Sequence, residues 1–472
     1  MQKNLLVGNG LDIQLGGFDY LNKWILTRML AKAKMGKYDS LFNGEISGDE
    51  IVELFYRMTE IARYVQNKKY DTVPDKCPDK KIAELLKIAI KDYQSTYTEG
   101  VTSIEQLGME DIILLFQIYL LDNDDLIPYY KAAKQGYCQM LLDAIYCEGE
   151  IQKLGIPETA KQFFLDFDNI FSLNYDNSLE KNLNKSVLHL HGDYETTYHS
   201  ENPKNALGYY RHKNKIANKY LPTLKQCNCN GILDFSGDMK YSFATSSTQC
   251  FKWFENVKDE IKSGKLNIDD LMRTLPPDQR DMLTMGIENN LYWGDNYYFD
   301  AFENMTGELT IIGLAPNNDS HIFKCINKSS VAKVIFYRFG NESESDFKSK
   351  LKITKPVEIR DVKQLWADLH ISQPDVKKLT LSSKQYELVN VFCPQSEITF
   401  DELTKQINSI PTTTRRIIFE MMKYEISKEK YHTTPATREE QFNQFISFGK
   451  TLEVSSLSPQ ALFVLYLNYL SK

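Results

Sequence analysis

Asn4-Leu5-Leu6-Val7-Gly8-Asn9-Gly10-Leu11-Asp12 is a short apolar run that stops on a Gly-Asn-Gly turn and resumes with helical character. The run has the length of a buried strand, and the glycines let the backbone turn sharply into a helix. The same grammar recurs far downstream. Asn169-Ile170-Phe171-Ser172-Leu173 leads through Asn174-Tyr175-Asp176 into a helical stretch at 178–183, and Ser186-Val187-Leu188-His189-Leu190-His191 then closes on Gly192-Asp193. Leu309-Thr310-Ile311-Ile312-Gly313 precedes Leu314-Ala315-Pro316-Asn317-Asn318-Asp319 and a helix near 320–326. The strand-like 332–337 comes next, then a last strand and helix over 357–369. Strands separated by helices predict an α/β fold with a parallel sheet.

Long interruptions separate these strands. From about residue 20 to 165 the apolar residues take a helical period, as in Ile51, Leu54, Phe55, Met58 and Ile61, which predicts a large helical insertion with a loop near 74–78. Residues of about 200–300 mix Tyr, Asn, Gly and Lys with short helical patches and are read as a second, mixed insertion. The α/β domain with both insertions is expected over 1–370, and a mainly helical C-terminal domain over 371–472. The chain's 472 residues, 42% hydrophobic and 12% aromatic, supply cores for about three units of ordinary domain size.

Several function classes drop out on composition. With 56 basic and 63 acidic side chains the net charge is −7, which gives no general grip on a nucleic-acid backbone. The start, MQKNLLVGNG, lacks the pattern of a secretory leader, and the apolar stretches around 112–121 and 462–470 are too short and too interrupted to span a bilayer. Eight scattered cysteines read as reduced thiols, so a cytoplasmic protein is expected. Only Cys227 and Cys229 lie close together, which leaves a zinc site with more distant ligands as a minor alternative.

The chemistry-bearing residues fall at strand ends, where parallel sheets bind ligands. Gly8, Asn9 and Gly10 suit a close approach to a pyrophosphate at a helix start, or serve a bare tight turn. Asn174 and Asp176 either face a ligand crevice or cap the following helix. His189 and His191, two apart on a strand, point to one face and offer a conceivable metal pair. No helix of the H-E-x-x-H type accompanies them, so no metal is expected. His189 fits a satisfied buried histidine, while His191, beside Gly192, fits acid-base work near neutral pH. Gly313, Asn317 and Asp319 form the fourth such end, whose plain reading is a turn and an N-cap.

Taken in order, Gly8-Asn9-Gly10-Leu11-Asp12, Ser172-Leu173-Asn174-Tyr175-Asp176, His189-Leu190-His191-Gly192-Asp193 and Ile312-Gly313 to Asp319 resemble the sirtuin-like fold of prokaryotic anti-phage proteins, and in particular the AbiH-like abortive-infection family. The long helical insertion is similar too. The resemblance implies a Rossmann-like sheet holding a nicotinamide dinucleotide as substrate. It implies that Gly8, Asn9 and Gly10 surround the phosphates, with Asp12 capping the helix or meeting a ribose. Asn174 would orient the nicotinamide ribose or a water, Asp176 would be among the residues that bind the dinucleotide, His191 would be the acid-base residue, and Gly313, Asn317 and Asp319 would lie by the adenosine half. The implied activity is hydrolysis of NAD to nicotinamide and ADP-ribose, which depletes an infected cell. Deacetylating sirtuins carry a Gly-Ala-Gly opening, an Asn-Ile-Asp motif and a paired-cysteine zinc module, none of which stands here, so protein deacetylation is not expected.

The C-terminal stretch around Thr399-Phe400-Asp401-Glu402 and Pro411-Thr412-Thr413-Thr414-Arg415-Arg416 has a helix, turn, helix rhythm. Residues 401–440 carry seven basic and seven acidic side chains, so a protein partner or a second copy of the chain is expected there rather than DNA. Two alternatives to the NAD hydrolase stay open: a sensor or scaffold that binds NAD or ADP-ribose without turnover, and a DNA-binding regulator that uses Arg415 and Arg416.

Overall fold

The computed structural model describes residues 1–42, 44–102, 106–198, 208–210, 222–233, 236–316, 319–376, 378–392, 398–428 and 458–470. Nine strands occur among them: β1 Lys3–Val7, β2 Asn169–Ser172, β3 Leu188–His189, β4 Thr197–Tyr198, β5 Gly208–Tyr210, β6 Tyr292–Trp293, β7 Thr306–Ile312, β8 Ser330–Arg338 and β9 Val357–Asp361. Six of these form an all-parallel sheet in the order β3-β2-β1-β7-β8-β9. The Asn4–Val7 run thus lies at the centre of the sheet, as the α/β reading requires.

Why those strands read as unbroken apolar runs is plain from their two faces. Leu5, Val7, Ile170 and Ile312 enter the core shared with the helical insertion. Leu6, Phe171, Leu309, Ile311, Val334 and Phe336 enter the core on the other side, with the helix Ser320–Lys328. A parallel sheet covered on both faces needs apolar side chains at odd and even positions alike. Asn4 is the polar exception. Fully buried, its Nδ2 donates to the carbonyls of Thr306 (2.8 Å) and Glu308 (3.1 Å), and its Oδ1 accepts from Asn169 Nδ2 (2.9 Å). One amide therefore ties β1 to both neighbours and fixes their register.

The first insertion consists of the helices Asn22–Lys34, Gly48–Gln66, Lys80–Thr96, Met109–Asp122, Tyr130–Tyr146 and Glu158–Leu165. The segment near 74–78, read as a loop, begins with the 3-10 turn Val73–Lys76. In the second insertion, the long helix Gly237–Lys262 and the shorter Ile268–Thr274 and Pro277–Glu288 accompany a small parallel sheet of β4, β5 and β6.

The strand expected over 186–191 is shorter, spanning only Leu188–His189. It lies at the edge and pairs with β2 alone. Beyond it Gly192 takes φ +87°, and the ladder passes to a different segment: Ile232 N donates to the His191 carbonyl (2.9 Å) and Asp193 N donates to Asn230 Oδ1 (2.7 Å).

The C-terminal helices Ser383–Phe392, Phe400–Ser409, Thr412–Lys428 and Pro459–Leu470 have a core of their own, in which Leu403, Ile407, Ile418, Met421 and Leu465 meet. Trp24, Ala31 and Met35 from the first insertion complete it. Among the described residues, no helix is long and apolar enough to cross a membrane.

Candidate functional site at the carboxyl ends of the sheet

Strand order reverses between β1 and β7: the chain runs from β1 outward to β2 and β3, then returns to β7 and runs outward to β8 and β9. Ligands of open α/β sheets bind outside the carboxyl ends of the strands at this switch point.

At the switch point the two central loops touch. Gly8 N donates to the Ile312 carbonyl and Gly10 N to that of Gly313, both at 2.9 Å. A Cβ on Gly10 would stand 2.6 Å from Gly313 Cα, and one on Gly313, whose φ is +76°, 2.7 Å from Gly8 O. The glycines are therefore required for loop-on-loop packing, and the amides of Gly8 and Gly10, expected near phosphates, are engaged within the fold. Asn9 turns aside, its Nδ2 donating to the Tyr20 carbonyl at 3.1 Å. Asn317 lies outside the described residues.

A first polar cluster gathers beside this contact. Asp12 is in the first turn of the helix Asn9–Gly16, whose N-cap is Gly8, so Asp12 is not a cap, contrary to one of the two roles expected for it. Its buried carboxyl bonds instead with the side chains of Asp176 and Asn174. Burial, then the charge of Asp176, holds the Asp12 carboxyl well above the usual range. Burial raises the Asp176 carboxyl too, against the bonds that its Oδ1 accepts from Ser178 N (2.9 Å) and from the Ser178 hydroxyl. Asp176 thus bonds to the first turn of the helix Ser178–Leu183, whose N-cap position is Asn177, while facing Asp12.

Both ring nitrogens of His189 are satisfied. Nδ1 donates to the Asn174 carbonyl (2.8 Å) and Nε2 to Glu180 Oε1 (2.6 Å). Burial alone would depress this imidazole, but Glu180, with Asp193 and the Asn174 carbonyl, raises it to about 9. His189 is therefore a charged structural residue and forms no metal pair with His191.

His191 joins a second cluster. Its Nε2 lies 3.0 Å from Nε2 of His321, with the rings stacked at 5.2 Å. Asp319 stands with them, one ligand-capable atom from each of the three residues lying within 4.8 Å of the others. Burial, with help from the Lys240 cation, drives His191 well below the ordinary imidazole range and His321 to about 3, so both are neutral at pH 7. Burial lifts Asp319 to about 7 against the opposing pull of Lys240. Lys240, itself buried, is ion-paired with Glu110 at 2.6 Å. The sequence reading stopped two residues short of His321, although Asp319-Ser320-His321 repeats the i, i+2 spacing of His189 and His191. Lys240 and Glu110 carry no local signal, since they come from two different insertions.

The structure therefore groups Asp12, Asn174 and Asp176, and separately His191 with Asp319. The two groups are linked through the bond from His189 to Asn174 and the segment His189-Leu190-His191. Asn174 and His191 each follow neighbouring parallel strands by two residues, in the register Ser172 to His189. They retain 8% and 4% of their exposure.

The remaining candidates are structural. Cys227 and Cys229 are buried, and burial, then Asp143, pushes the Cys227 thiol up, away from the thiolate that zinc binds. Arg415 is buried and donates to the Ile410 carbonyl at 2.8 Å, while Arg416 bridges Glu148 and Glu420. Compared with known proteins, the chain matches no family model, no curated protein and no solved structure.

Proposed function

We propose that the protein cleaves the N-glycosidic bond of NAD, releasing nicotinamide and ADP-ribose, and that it acts in anti-phage abortive infection by depleting NAD. The observation that supports this reading best is the reversal of strand order between β1 and β7 with Asp12, Asn174 and Asp176 gathered at those strand ends. Cleavage needs little from the protein: nicotinamide leaves as a neutral base, taking the electron pair of the C–N bond, and the ribose acquires oxocarbenium character. Asn174, whose amide both donates and accepts, would orient a ribose hydroxyl or the water. The Asp176 carboxylate would favour the developing positive charge. Water adds to the ribose carbon as His191, neutral at pH 7, takes its proton.

The test is nicotinamide release from NAD by the purified chain, and cellular NAD before and after phage challenge. Asn174→Ala and His191→Ala are each expected to lower the rate by roughly 10²- to 10⁴-fold. Variants as active as the parent overturn the assignment.

A second reading is favoured by one specific observation, the closure of the crevice, where the Gly8 and Gly10 amides are engaged and Asn174 and His191 are buried. On that reading the chain is a sensor that binds NAD or ADP-ribose without turnover. Calorimetric binding without nicotinamide release selects it.

A further inference from the structure

Three features of the cluster of His191, Asp319 and His321 point to a ligand. The first is geometric. Zinc-to-nitrogen bonds of about 2.0–2.1 Å at a tetrahedral angle set two ligand nitrogens about 3.3 Å apart. The two Nε2 atoms here are 3.0 Å apart, with the third ligand-capable atom within 4.8 Å. A few tenths of an ångström of side-chain adjustment accommodates an ion.

The second feature is Asp319. It occupies the N-cap position of the helix Ser320–Lys328, where an aspartate ordinarily accepts from the amides of the first turn, yet it makes no side-chain cap bond. Its carboxylate stands with the imidazoles instead. The third is His321. This residue is 1% exposed, and its Nδ1 has no hydrogen-bond partner among the described residues. Buried polar atoms in folded proteins are nearly all paired. His189, two residues before His191, shows what a purely structural histidine looks like, with both nitrogens bound.

We infer that His191, Asp319 and His321 form a binding site for one divalent transition-metal ion of the zinc class. Two imidazoles and a carboxylate, with a position left open, are a ligand set that suits such an ion. The charge of the nearby Lys240, which acts on all three residues, is offset in part by its ion-pair partner Glu110 at 2.6 Å. Phe299, with its ring 6.5 Å from that of His191 and 6.0 Å from that of His321, supplies an apolar wall. The inference goes beyond the reading of NAD cleavage and does not rest on it. With an ion bound, His191 would serve as a ligand rather than as the base, and the ion would supply Lewis acidity to a coordinated water.

The test uses the full-length protein without nucleotide. After chelation and dialysis, Zn²⁺ affinity is measured by calorimetry, and Co²⁺ is added to read its visible absorption. Because Cys250 is an exposed thiol, every protein carries Cys250→Ser. One equivalent of Zn²⁺ is expected, with Co²⁺ bands of a low-symmetry nitrogen and oxygen site. Asp319→Asn and His321→Ala are each expected to weaken binding by more than the roughly ten- to hundredfold that a merely supporting residue costs. Circular dichroism identifies variants that remain folded, and Asp319→Asn, at a partly exposed position, keeps the test decisive should His321→Ala unfold. Zinc uptake and Co²⁺ spectra in the parent identical to those of folded Asp319→Asn overturn the site and leave the pair as a plain N–H···N hydrogen bond. Since no NAD is present, failure of this test and failure of NAD cleavage are read separately.

Discussion

The Nε2 atoms of His191 and His321 face each other at 3.0 Å across the carboxyl ends of the sheet. Both rings are neutral, so in the metal-free protein one ring donates and the other accepts. Removing one ring strands the other. Replacing His321 with Ala is expected to cost about 1–3 kcal/mol, the penalty for a buried polar atom left unpaired. His321→Gln, whose amide offers the same donor or acceptor, is expected to recover part of that loss. Urea unfolding of the two variants beside the parent checks it, and equal midpoints for Ala and Gln would show that the contact contributes nothing.

Asp12 and Asp176 give the protein a pH dependence whose sign follows from their geometry. Asp12 is held above its unfolded pKa by burial and by the Asp176 charge. A carboxyl raised on folding contributes stability that is complete below its unfolded pKa of about 3.9 and is lost as pH rises through the folded value. Asp12→Asn cannot ionise and keeps an N–H toward Asp176. This variant is expected to lose less stability than the parent on the alkaline side, while matching it more closely near pH 5. Thermal unfolding midpoints across pH 5 to 9 measure the difference, and parallel curves would place the titration elsewhere.

The loop contact at the switch point sets the third expectation. Gly313→Ala brings a side chain to φ +76° and a Cβ within 2.7 Å of Gly8 O and Leu11 N, both backbone atoms that cannot swing away. Backbone strain of this kind costs about 1–3 kcal/mol before the overlap is counted. Gly155→Ala, where a Cβ meets nothing within 4 Å, is the control and is expected to be close to neutral. Denaturant midpoints decide, and a Gly313→Ala protein as stable as Gly155→Ala would mean that the two loops do not touch in solution.

Much of this architecture is legible in the residues because the relevant physics is local. The apolar run at Asn4–Val7 and its counterparts at 169–172 and 306–312 identify a sheet covered on both faces, and the glycines at 8, 10 and 313 mark its turns. What escapes is set by partners distant in sequence. His189-Leu190-His191 is enough to mark His189 as a satisfied histidine, but not to name the partners, since Glu180 and the His321 ring that meets His191 come from other elements. The glycine turn reads equally as a phosphate cradle or a bare turn, and the carbonyls of Ile312 and Gly313 that take its amides come from a distant part of the sequence. Likewise the alternative that gives Arg415 and Arg416 to DNA meets Ile410, Glu148 and Glu420 beside them, partners that the local sequence does not announce.

The last expectation concerns how the C-terminal helices are held. Asp19, in the turn after the helix that carries Asp12, accepts from Thr414 N (2.9 Å) and Thr414 Oγ1 (2.7 Å) at the start of the helix Thr412–Lys428. A carboxylate there also meets the positive end of the helix dipole. Arg28, fully buried, closes the network: Nη1 donates to the Asp19 carbonyl (2.6 Å) and to Thr414 Oγ1 (2.9 Å), and Nη2 to the Ala144 carbonyl (3.0 Å). Arg28 Nη1 also pairs with the Asp19 carboxylate at 3.3 Å, and breaking a buried ion pair by removing one partner costs roughly 3–5 kcal/mol, because the other charge stays buried and unpaired. Asp19→Ala is therefore expected to destabilise the whole protein by about that amount, and Thr414→Val, which removes only a hydroxyl, by about 1–2 kcal/mol. The pair Asp19→Ala with Arg28→Met is expected to be milder than the sum of its parts, since no lone charge remains. Limited proteolysis follows the region directly: in Asp19→Ala the C-terminal helices should be cut earlier than the sheet domain. Equal cleavage rates in parent and variant would show that the apolar core around Trp24, Ala31 and Met35 holds those helices without the polar network.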